Sequence, residues 1–446
     1  MSLNLRKSSK LFKYIYYLCL IFVFIIIITS ITRHSVLEGK YSKNFIFKFI
    51  YTLSQIPSVS KNQIFDNNEK IKIKLWLNQG EFSYSHHTDK KLGFTFFKEK
   101  DQINEAFLLF SKYNQDTKKF DLSVFEVKEK KIIHTYNINI DKINNESNYN
   151  NEMSNLKIDN HSSRYGYFHP LLLKDGSVVF HSFSPLIKTD LCGNLIFQSD
   201  HYYNHAIEKS SDNTVWSNVN RYKEFNMTKI TDNEITKVNL DDGSIIISKS
   251  ILNLLLENNL TDLFMGAYVG TDPFHINDIQ PVLQDGKYWM KGDVFLSLRS
   301  ISTIILYRPS EDRIIWHKTG PWRHQHDVDI INENMIGVFN NGTSTNFKDS
   351  KSNILYYNFE TNKTYSPFEK SFNNYKISTT TQGLFTITKN GNLFIDETER
   401  GRMLMIDSDG ELVWEHISDT TIRWPRLIES KKIIDNIKKN TKNCDN

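Results

Sequence analysis

Short apolar runs separated by polar turns dominate the chain from about residue 70 onwards. Examples are Phe107–Phe110, Val124–Val127, Lys131–Tyr136 and Val178–Phe180. Runs of this length, rich in β-branched and aromatic residues, are typical of β-strands. The pattern therefore predicts an all-β domain over residues 71–430.

Asp-Gly and Asn-Gly pairs occupy many of the turns between these runs. Both pairs tolerate the positive φ angles of tight hairpins, so each predicts a β-hairpin. The pairs are Asp175-Gly176, Asp242-Gly243, Asp285-Gly286, Asn390-Gly391 and Asp409-Gly410.

A loose repeat consists of a polar turn, then apolar residues, then an aromatic residue. Its copies end at Tyr136, Phe197, Trp316 and Trp414. Repetition of hairpins over roughly 350 residues favours a β-propeller, in which each blade buries a face against the next. We expect Trp316 and Trp414 to be packing residues. A pair of β-sandwiches is the alternative, but it accounts less well for the repeated turn and aromatic residue.

Three segments depart from the strand pattern. Ser248 to Asn259 has Ser near its start and Asn at its end, which predicts a helix. Residues 141–163 are rich in Asn and Ser and predict a surface loop. Residues 431–446, rich in Lys and Asn, predict a polar tail or a frayed helix.

The N-terminus combines positive charge with an apolar run from Tyr14 to Ile31. The cations that precede the run are Arg6, Lys7, Lys10 and Lys13. A helix of that length roughly spans the hydrocarbon core of a membrane. Its positive flank should stay in the cytoplasm, so residues 1–35 predict a basic tip and a single-pass transmembrane anchor. A cleaved signal peptide is the alternative, but the run is long and Thr29–Arg33 is a poor small-residue cleavage site.

This topology places everything after residue 35 on the periplasmic or extracytoplasmic side of the membrane. Residues 36–70 are expected to be a tether, and its aromatic patch Phe45–Tyr51 could lie on the membrane surface. Of the three cysteines, Cys19 lies in the anchor and Cys444 in the polar tail. We therefore predict that Cys192 and Cys444 form no structural disulfide and that a large core stabilises the domain.

Charge and cysteine content exclude two classes of function. The 55 basic and 51 acidic residues give a net charge of +4, without the clustered positive charge of a nucleic-acid-binding face. The number and spacing of the cysteines argue against a cysteine-based metal site. The sequence leaves open whether the protein forms a homo-oligomer.

Candidate catalytic residues concentrate between Asp272 and Gly342. The chain contains these elements in order: His201-Tyr202-Tyr203-Asn204-His205, Phe274-His275-Ile276-Asn277, Ser297-Leu298-Arg299, Gln325-His326-Asp327, Gln382-Gly383 and Asn390–Asp396. Their order and separations resemble those of the arylsulfotransferase family, the bacterial type that needs no nucleotide sulfate donor. The resemblance spans roughly residues 105–420 and depends on the combination of motifs.

The resemblance implies a six-bladed propeller with its active site in the central channel. It implies that His326 is the nucleophile, which carries the sulfuryl group transiently. His205, His275, Asn277 and Arg299 match positions that hold the sulfate group. The implied reaction is a ping-pong transfer from an aryl sulfate to a phenol, and it needs no cofactor or metal.

The residue types suit this chemistry on physical grounds. The transition state of such a transfer is loose and spreads negative charge over the equatorial oxygens, which preplaced donors stabilise. A neutral imidazole is nucleophilic near pH 7 and leaves readily. Arg299 offers a rigid fork of N–H groups, and Asn277 donates without adding charge. A histidine of the site can also protonate the departing phenoxide.

Each of these residues also has a structural interpretation. His326 could be a hydrogen-bonded core residue, and Arg299 could pair with an acid. In an extended strand His275 and Asn277 share a face, and so do His324 and His326. For His275 and Asn277, a shared face suits either a pair that binds the sulfate group or a structural pair. For His324 and His326, a shared face makes His324 a reserve nucleophile. His324, His326 and Asp327 could alternatively ligate zinc.

Two other functions remain to be separated from sulfuryl transfer. The first is a non-catalytic, membrane-anchored propeller that binds a sulfated ligand or a protein partner. The second is a sulfatase, which the sequence disfavours because Gly-Asn-Leu follows Cys192 where a formylglycine enzyme needs Cys-x-Pro-x-Arg.

Overall fold

A computed structural model divides the chain into two units, residues 1–80 and 81–446. It describes residues 13–28, 90–149, 156, 160–225, 228–265, 272–343 and 351–444. In the first unit, residues 13–28 form a helix. Among the described residues, no helix is long and apolar enough to cross a membrane. The transmembrane anchor stays a prediction, and the predicted tether lies outside the described residues.

Strands form the whole framework of the second unit. They are β1 (Gly93–Phe96), β2 (Phe107–Asn114), β3 (Lys119–Glu126), β4 (Lys131–Thr135), β5 (Phe168–Leu172), β6 (Val178–His181), β7 (Leu186–Thr189), β8 (Leu195–Ser199), β9 (Tyr203–Lys209), β10 (Thr214–Phe225), β11 (Thr228–Asn239), β12 (Ile245–Ser250), β13 (Ile276–Pro281), β14 (Val294–Leu298), β15 (Thr303–Arg308), β16 (Arg313–Thr319), β17 (Val328–Asn332), β18 (Met335–Asn340), β19 (Asn353–Asn358), β20 (Lys363–Tyr365), β21 (Leu384–Ile387), β22 (Leu393–Glu397), β23 (Arg402–Ile406), β24 (Leu412–Ile417) and β25 (Ile422–Ile428).

Short helices connect or cover the strands. They are Ile140–Glu146, Ile251–Glu257, Thr261–Met265, Glu369–Asn374 and Lys431–Asn440, with 3-10 turns at Lys100–Gln102, Thr398–Arg400 and Thr441–Asn443.

The strands form six antiparallel sheets, which we number as blades and write from the innermost strand outwards. Blade 1 is β25-β2-β3-β4, blade 2 is β5 to β8, and blade 3 is β9 to β12. Blade 4 is β13 to β16, blade 5 is β17 to β20, and blade 6 is β21 to β24 with β1 on its outer edge. Contacts of β5 with β25 and β9, and of β13 with β9 and β17, arrange the inner strands around one axis.

The two ends of the domain close this ring. The last strand, β25, supplies the inner strand of blade 1 and pairs with β2, with Ile428 opposite Phe107. The first strand, β1, pairs with β24 in blade 6. The protein is therefore an all-β, six-bladed propeller, as predicted, and not a pair of sandwiches.

The core consists of six hydrophobic clusters, one in each interface between consecutive blades. Trp414 is buried between blades 6 and 1. Trp316 is half-buried between blades 4 and 5, where its ring lies 4.6 Å from that of Phe359. The prediction that these aromatic residues pack between blades is confirmed.

The predicted turns and helix are also present. Asp175-Gly176, Asp242-Gly243, Asn390-Gly391 and Asp409-Gly410 join paired strands, and Asp285-Gly286 lies in the longer β13–β14 connection. The predicted helix is shorter than expected and spans Ile251–Glu257. Its cap is Ser250, whose hydroxyl accepts a hydrogen bond from the Asn253 backbone N–H at 3.1 Å.

The prediction that Cys192 and Cys444 stay unpaired is wrong, since the two form a disulfide. The reason is the C-terminal helix Lys431–Asn440, which buries Ile434 and Ile437 between blades 1 and 2. This docking brings Cys444 to the β7–β8 turn that contains Cys192. Isoleucines at helical spacing among the lysines give the segment one apolar face.

The Asn- and Ser-rich segment after residue 140 is only partly a loop. The helix Ile140–Glu146 buries Ile140, Ile143 and Asn144 against the propeller. Its two isoleucines join the cluster between blades 1 and 2. The start of this segment therefore belongs to the core.

Candidate active site

Near the start of every inner strand lies a residue with positive φ. The residues are His169 (43°), His205 (52°), His275 (50°), His324 (48°), Gly383 (131°) and Trp424 (32°). Such angles are uncommon for residues other than glycine, and histidine is among those that adopt them more readily. Strand pairing shifts register beside His169, His205, His275 and Trp424. The six blades thus place these residues at equivalent positions around the channel, and in five of them the residue has a side chain.

Three histidines predicted as site residues meet in the channel. The ring of His205 lies 4.8 Å from that of His275 and 6.0 Å from that of His326, measured between centroids. The carboxylate of Asp272 lies 2.6 Å from Nδ1 of His275. The backbone carbonyl of His205 is 2.9 Å from Nε2 of His181. Residues from blades 2 to 5 therefore shape one polar cluster.

His326 is fully buried, and neither of its ring nitrogens has a hydrogen-bond partner among the described residues. Burial, together with the charges of Arg299 and His275, lowers the pKa of His326 to about 3. The imidazole is therefore neutral at pH 7 and keeps a free lone pair. This arrangement does not fit a hydrogen-bonded core histidine, because a buried polar atom left unpaired costs roughly 1–3 kcal/mol.

Arg299 stands beside the histidines without an acidic partner. Its backbone N–H donates to the His275 carbonyl at 3.0 Å, and its Nε has no hydrogen-bond partner in the described part of the chain. No carboxylate of the described residues lies within ion-pair distance of Arg299. Burial lowers the pKa of its guanidinium, which nevertheless stays cationic. An unpaired, partly buried guanidinium is suited to bind an anion.

Asn277 links blade 4 to the chain beside His326. Its Nδ2 donates to the carbonyl of Gln325 at 3.0 Å, and its Oδ1 has no partner among the described residues. The second N–H of the amide remains available to a ligand. His275, at +50°, is not extended, so the predicted strand alternation does not explain how it and Asn277 share the site.

His324 also has a positive φ, so strand alternation does not place its side chain on the same face as that of His326. It is half-buried, and its backbone N–H donates to Oγ of Ser302 at 3.1 Å. Burial and the nearby charge of Arg299 lower its pKa. His326 follows two residues later and is fully buried. The two histidines thus differ in access to solvent.

A group of buried acids follows the histidines along the inner strands. Asp278 accepts from the Val328 N–H at 3.0 Å, and Asp327 accepts from the Phe385 N–H at 2.9 Å. Burial and neighbouring carboxylates raise the pKa of Asp278, Asp327 and Asp329 well above the usual range. These acids tie blade 4 to blade 5 and blade 5 to blade 6. Among the described residues, no group of His, Cys, Asp and Glu side chains has an arrangement suited to a metal ion.

Two further aromatic rings at the inner strands, those of His169 and Trp424, are not among the residues predicted from the sequence. The rings stack with centroids 4.7 Å apart and planes at 22°. Phe168-His169 repeats the dipeptide Phe274-His275, and that repeat could have identified His169. The position of Trp424 depends on ring closure, which the sequence does not display.

Residues 169–419, more than half of the chain, match the family model for arylsulfotransferase (ASST). No curated protein matches the sequence. Among solved structures, the chain is similar to a Bacteroides caccae protein of unknown function, with 12% identity, coverage of 73% of this chain and 100% of that chain, and a TM-score of 0.44. It is also similar to virginiamycin B lyase from Staphylococcus aureus, with 14% identity, coverage of 56% and 69%, and a TM-score of 0.33. At these TM-scores neither likeness bears on function.

Proposed function

Because the chain belongs to the arylsulfotransferase (ASST) family, we propose that it moves a sulfuryl group from an aryl sulfate ester to a phenolic or other hydroxyl acceptor through His326. The observation that carries the proposal is the buried, neutral His326 imidazole, whose two ring nitrogens are unpaired beside an unpaired Arg299. A neutral imidazole and a cationic guanidinium thus stand together in the central channel, as the proposed transfer requires.

The donor half-reaction makes the covalent intermediate. A ring nitrogen of His326 attacks sulfur, the N–S bond forms as the S–O bond to the aryl group breaks, and the aryl oxygen leaves. Arg299 and the rings of His205 and His275 surround the equatorial oxygens, where negative charge is greatest. The Asn277 amide donates to these oxygens through the N–H that is not bonded to the Gln325 carbonyl.

The acceptor half-reaction reverses these steps with a new hydroxyl group. Its oxygen attacks sulfur as the N–S bond breaks, its hydroxyl proton passes to a base in the channel or to solvent, and His326 returns as a neutral imidazole. The lowered pKa of His326 favours this departure, because a less basic nitrogen is a better leaving group. No cofactor is needed in either half of this scheme.

The cellular location is part of the proposal. A membrane anchor in residues 1–35 would hold the propeller on the periplasmic or extracytoplasmic side, as the basic residues before the apolar run suggest. The Cys192–Cys444 disulfide supports this location, because such bonds persist in oxidising compartments. Protease added to intact spheroplasts should digest the propeller. Protection until the membrane is lysed would contradict the orientation.

The proposed activity is tested by exchange between a chromogenic aryl sulfate and a panel of phenols and sugars. His326→Ala should lose activity by ~10³-fold or more, because the covalent route disappears. His324→Ala should keep substantial activity, since the proposed transfer does not pass through His324. An inert wild-type protein would favour the alternative of a non-catalytic propeller.

The intermediate provides the second test. After brief exposure to the donor, peptide mapping should place an acid-labile, base-stable sulfuryl group on the Gln325–Asp327 peptide. A sulfuryl group on another residue would move the nucleophile. Activity without any labelled peptide would indicate direct transfer from donor to acceptor.

A further inference from the structure

His169 lies across the channel from His326. The inner strands follow one another around the axis in the order β25, β5, β9, β13, β17 and β21. In a ring of six, β5 stands opposite β17, while β9 and β13 lie between them on one side. His169 belongs to β5, and His326 comes two residues before β17. Burial lowers the pKa of His169, and the charges of Arg426 and His326 lower it further.

The His169 ring is buried, and one of its nitrogens lacks a hydrogen-bond partner within the described part of the chain. Only 3% of the residue is exposed, and its Nε2 has no hydrogen-bond partner among the described residues. The indole of Trp424 stacks against the imidazole and fixes its plane. An indole face also stabilises an imidazolium once one forms. His169 is therefore oriented, and its Nε2 has hydrogen-bonding capacity that no described residue uses.

In-line transfer places the attacking atom and the leaving atom on opposite sides of sulfur. With His326 on the β17 side, the aryl oxygen lies on the β5 side. We propose that His169 is the acid–base residue of the exchange: it protonates the departing aryl oxygen and accepts the proton of the incoming hydroxyl. This inference rests on the proposed transfer through His326.

The proton balance closes over one cycle. Binding of the anionic donor favours uptake of a proton by His169, because an adjacent negative charge stabilises the imidazolium. As the S–O bond breaks, that proton moves to the aryl oxygen, so a neutral phenol leaves and His169 becomes neutral. The acceptor then gives its hydroxyl proton to His169 while its oxygen attacks sulfur. His326 keeps the proton on its other nitrogen throughout and departs as a neutral imidazole.

His275 is the rival for this role, because the Asp272 carboxylate lies 2.6 Å from its Nδ1 as in a typical acid–base pair. His275 immediately precedes β13, however, and β13 is next to β17 in the ring. Its side chain therefore flanks the nucleophile, where it meets the equatorial sulfuryl oxygens. Among the described inner strands, β5 is the one opposite β17 and His169 is its histidine, whereas His181 lies on β6 and its Nε2 contacts the His205 carbonyl.

The test compares leaving groups in the donor half-reaction. Single turnovers of wild type and His169→Asn are measured with 4-nitrophenyl sulfate and with phenyl sulfate. A nitrophenolate leaves without help, so that rate should change by less than ~3-fold, whereas phenyl sulfate should react ~10²- to 10⁴-fold more slowly in the variant. Equal losses for both donors, or no loss for either, would overturn the role of His169.

Three further measurements separate this result from damage to the fold. His169→Gln should show the same dependence on the leaving group, and thermal unfolding should match wild type within a few degrees. His134→Asn removes a half-buried histidine on β4 and should affect both donors equally or neither. A labelled His326 peptide in His169→Asn treated with 4-nitrophenyl sulfate would show that the proposed function holds even where the role of His169 fails.

Discussion

Removing the disulfide should destabilise the propeller without changing its chemistry. Cys192 and Cys444 are separated by 252 residues, so the bond closes about two-thirds of the second unit into one loop. Loop-closure entropy for that length amounts to about 5.5 kcal/mol at 25 °C, and removal of native disulfides typically costs about 2–5 kcal/mol. The bond also anchors the helix Lys431–Asn440 on blades 1 and 2. We therefore expect the double variant Cys192→Ser/Cys444→Ser to lose about 2–5 kcal/mol.

This loss can be expressed as a melting temperature. Unfolding entropy of about 2.1 cal/mol/K per residue gives roughly 0.75 kcal/mol/K for a domain of roughly 350 residues. The double variant should therefore melt about 3–7 °C below wild type. Calorimetry of the oxidised protein measures the shift, and a reducing agent should lower the wild-type value by a similar amount.

The chain contains its own control. Cys19 is unpaired, and Cys19→Ser should leave the melting temperature of the propeller unchanged. Activity at 25 °C should survive in the double variant, because Cys192 lies in the β7–β8 turn and not on an inner strand. Equal melting temperatures for the double variant and wild type would refute the stabilising role of the bond.

Three other predictions follow from the core and the channel. Trp414→Ala should lower the free energy of unfolding, measured in urea, by about 3–5 kcal/mol because its ring is buried between blades 6 and 1. Trp316→Ala should lower it by less, because Trp316 is only half-buried. Arg299→Lys keeps the charge but loses the fork, so exchange should fall roughly 10- to 100-fold, mostly in turnover; an equal rate would contradict the assigned contact. Burial and nearby charges lower the pKa of His326 to about 3, so its attacking nitrogen is neutral above that pH. The rate of the donor half-reaction should therefore not decline as pH falls through 6.5, and it should decline only near pH 3. A decline centred at pH 6.5 would show that His326 titrates with the ordinary pKa of a histidine.

The propeller could be predicted because its signals are local. Short apolar runs, Asp-Gly and Asn-Gly turns and the repeated aromatic residue each report on a single hairpin. Ring closure by β25 and the docking of Lys431–Asn440 join segments that are distant in sequence. The disulfide was missed for that reason: the composition around Cys444 is polar, and only the burial of Ile434 and Ile437 brings it to Cys192.

The candidate site was predicted in part for the same reason. Family-like motifs predicted a site of His205, His275, Asn277, Arg299 and His326. The rings of His205, His275 and His326 do lie close together, while their roles stay a prediction. Residues two apart share a face only where the backbone is extended, but His275 and His324 adopt positive φ. Where the backbone has positive φ, the sequence spacing of two residues does not show whether their side chains lie on the same face. His169 was overlooked because no local signal shows which inner strands stand opposite each other.

A close approach to Phe339 explains why blade 6 has a glycine, and therefore no side chain, at its equivalent position. Gly383 has a φ of 131°, which side chains rarely allow, and a Cβ there would lie 2.5 Å from the Phe339 ring. Phe339 is fully buried between blades 5 and 6, and its backbone carbonyl accepts from the His326 N–H at 2.9 Å. A side chain at residue 383 would push on the residue that holds the backbone of His326. Glycine at this point of the ring therefore preserves the position of the proposed nucleophile, while the other five blades use the equivalent position to present a histidine or a tryptophan.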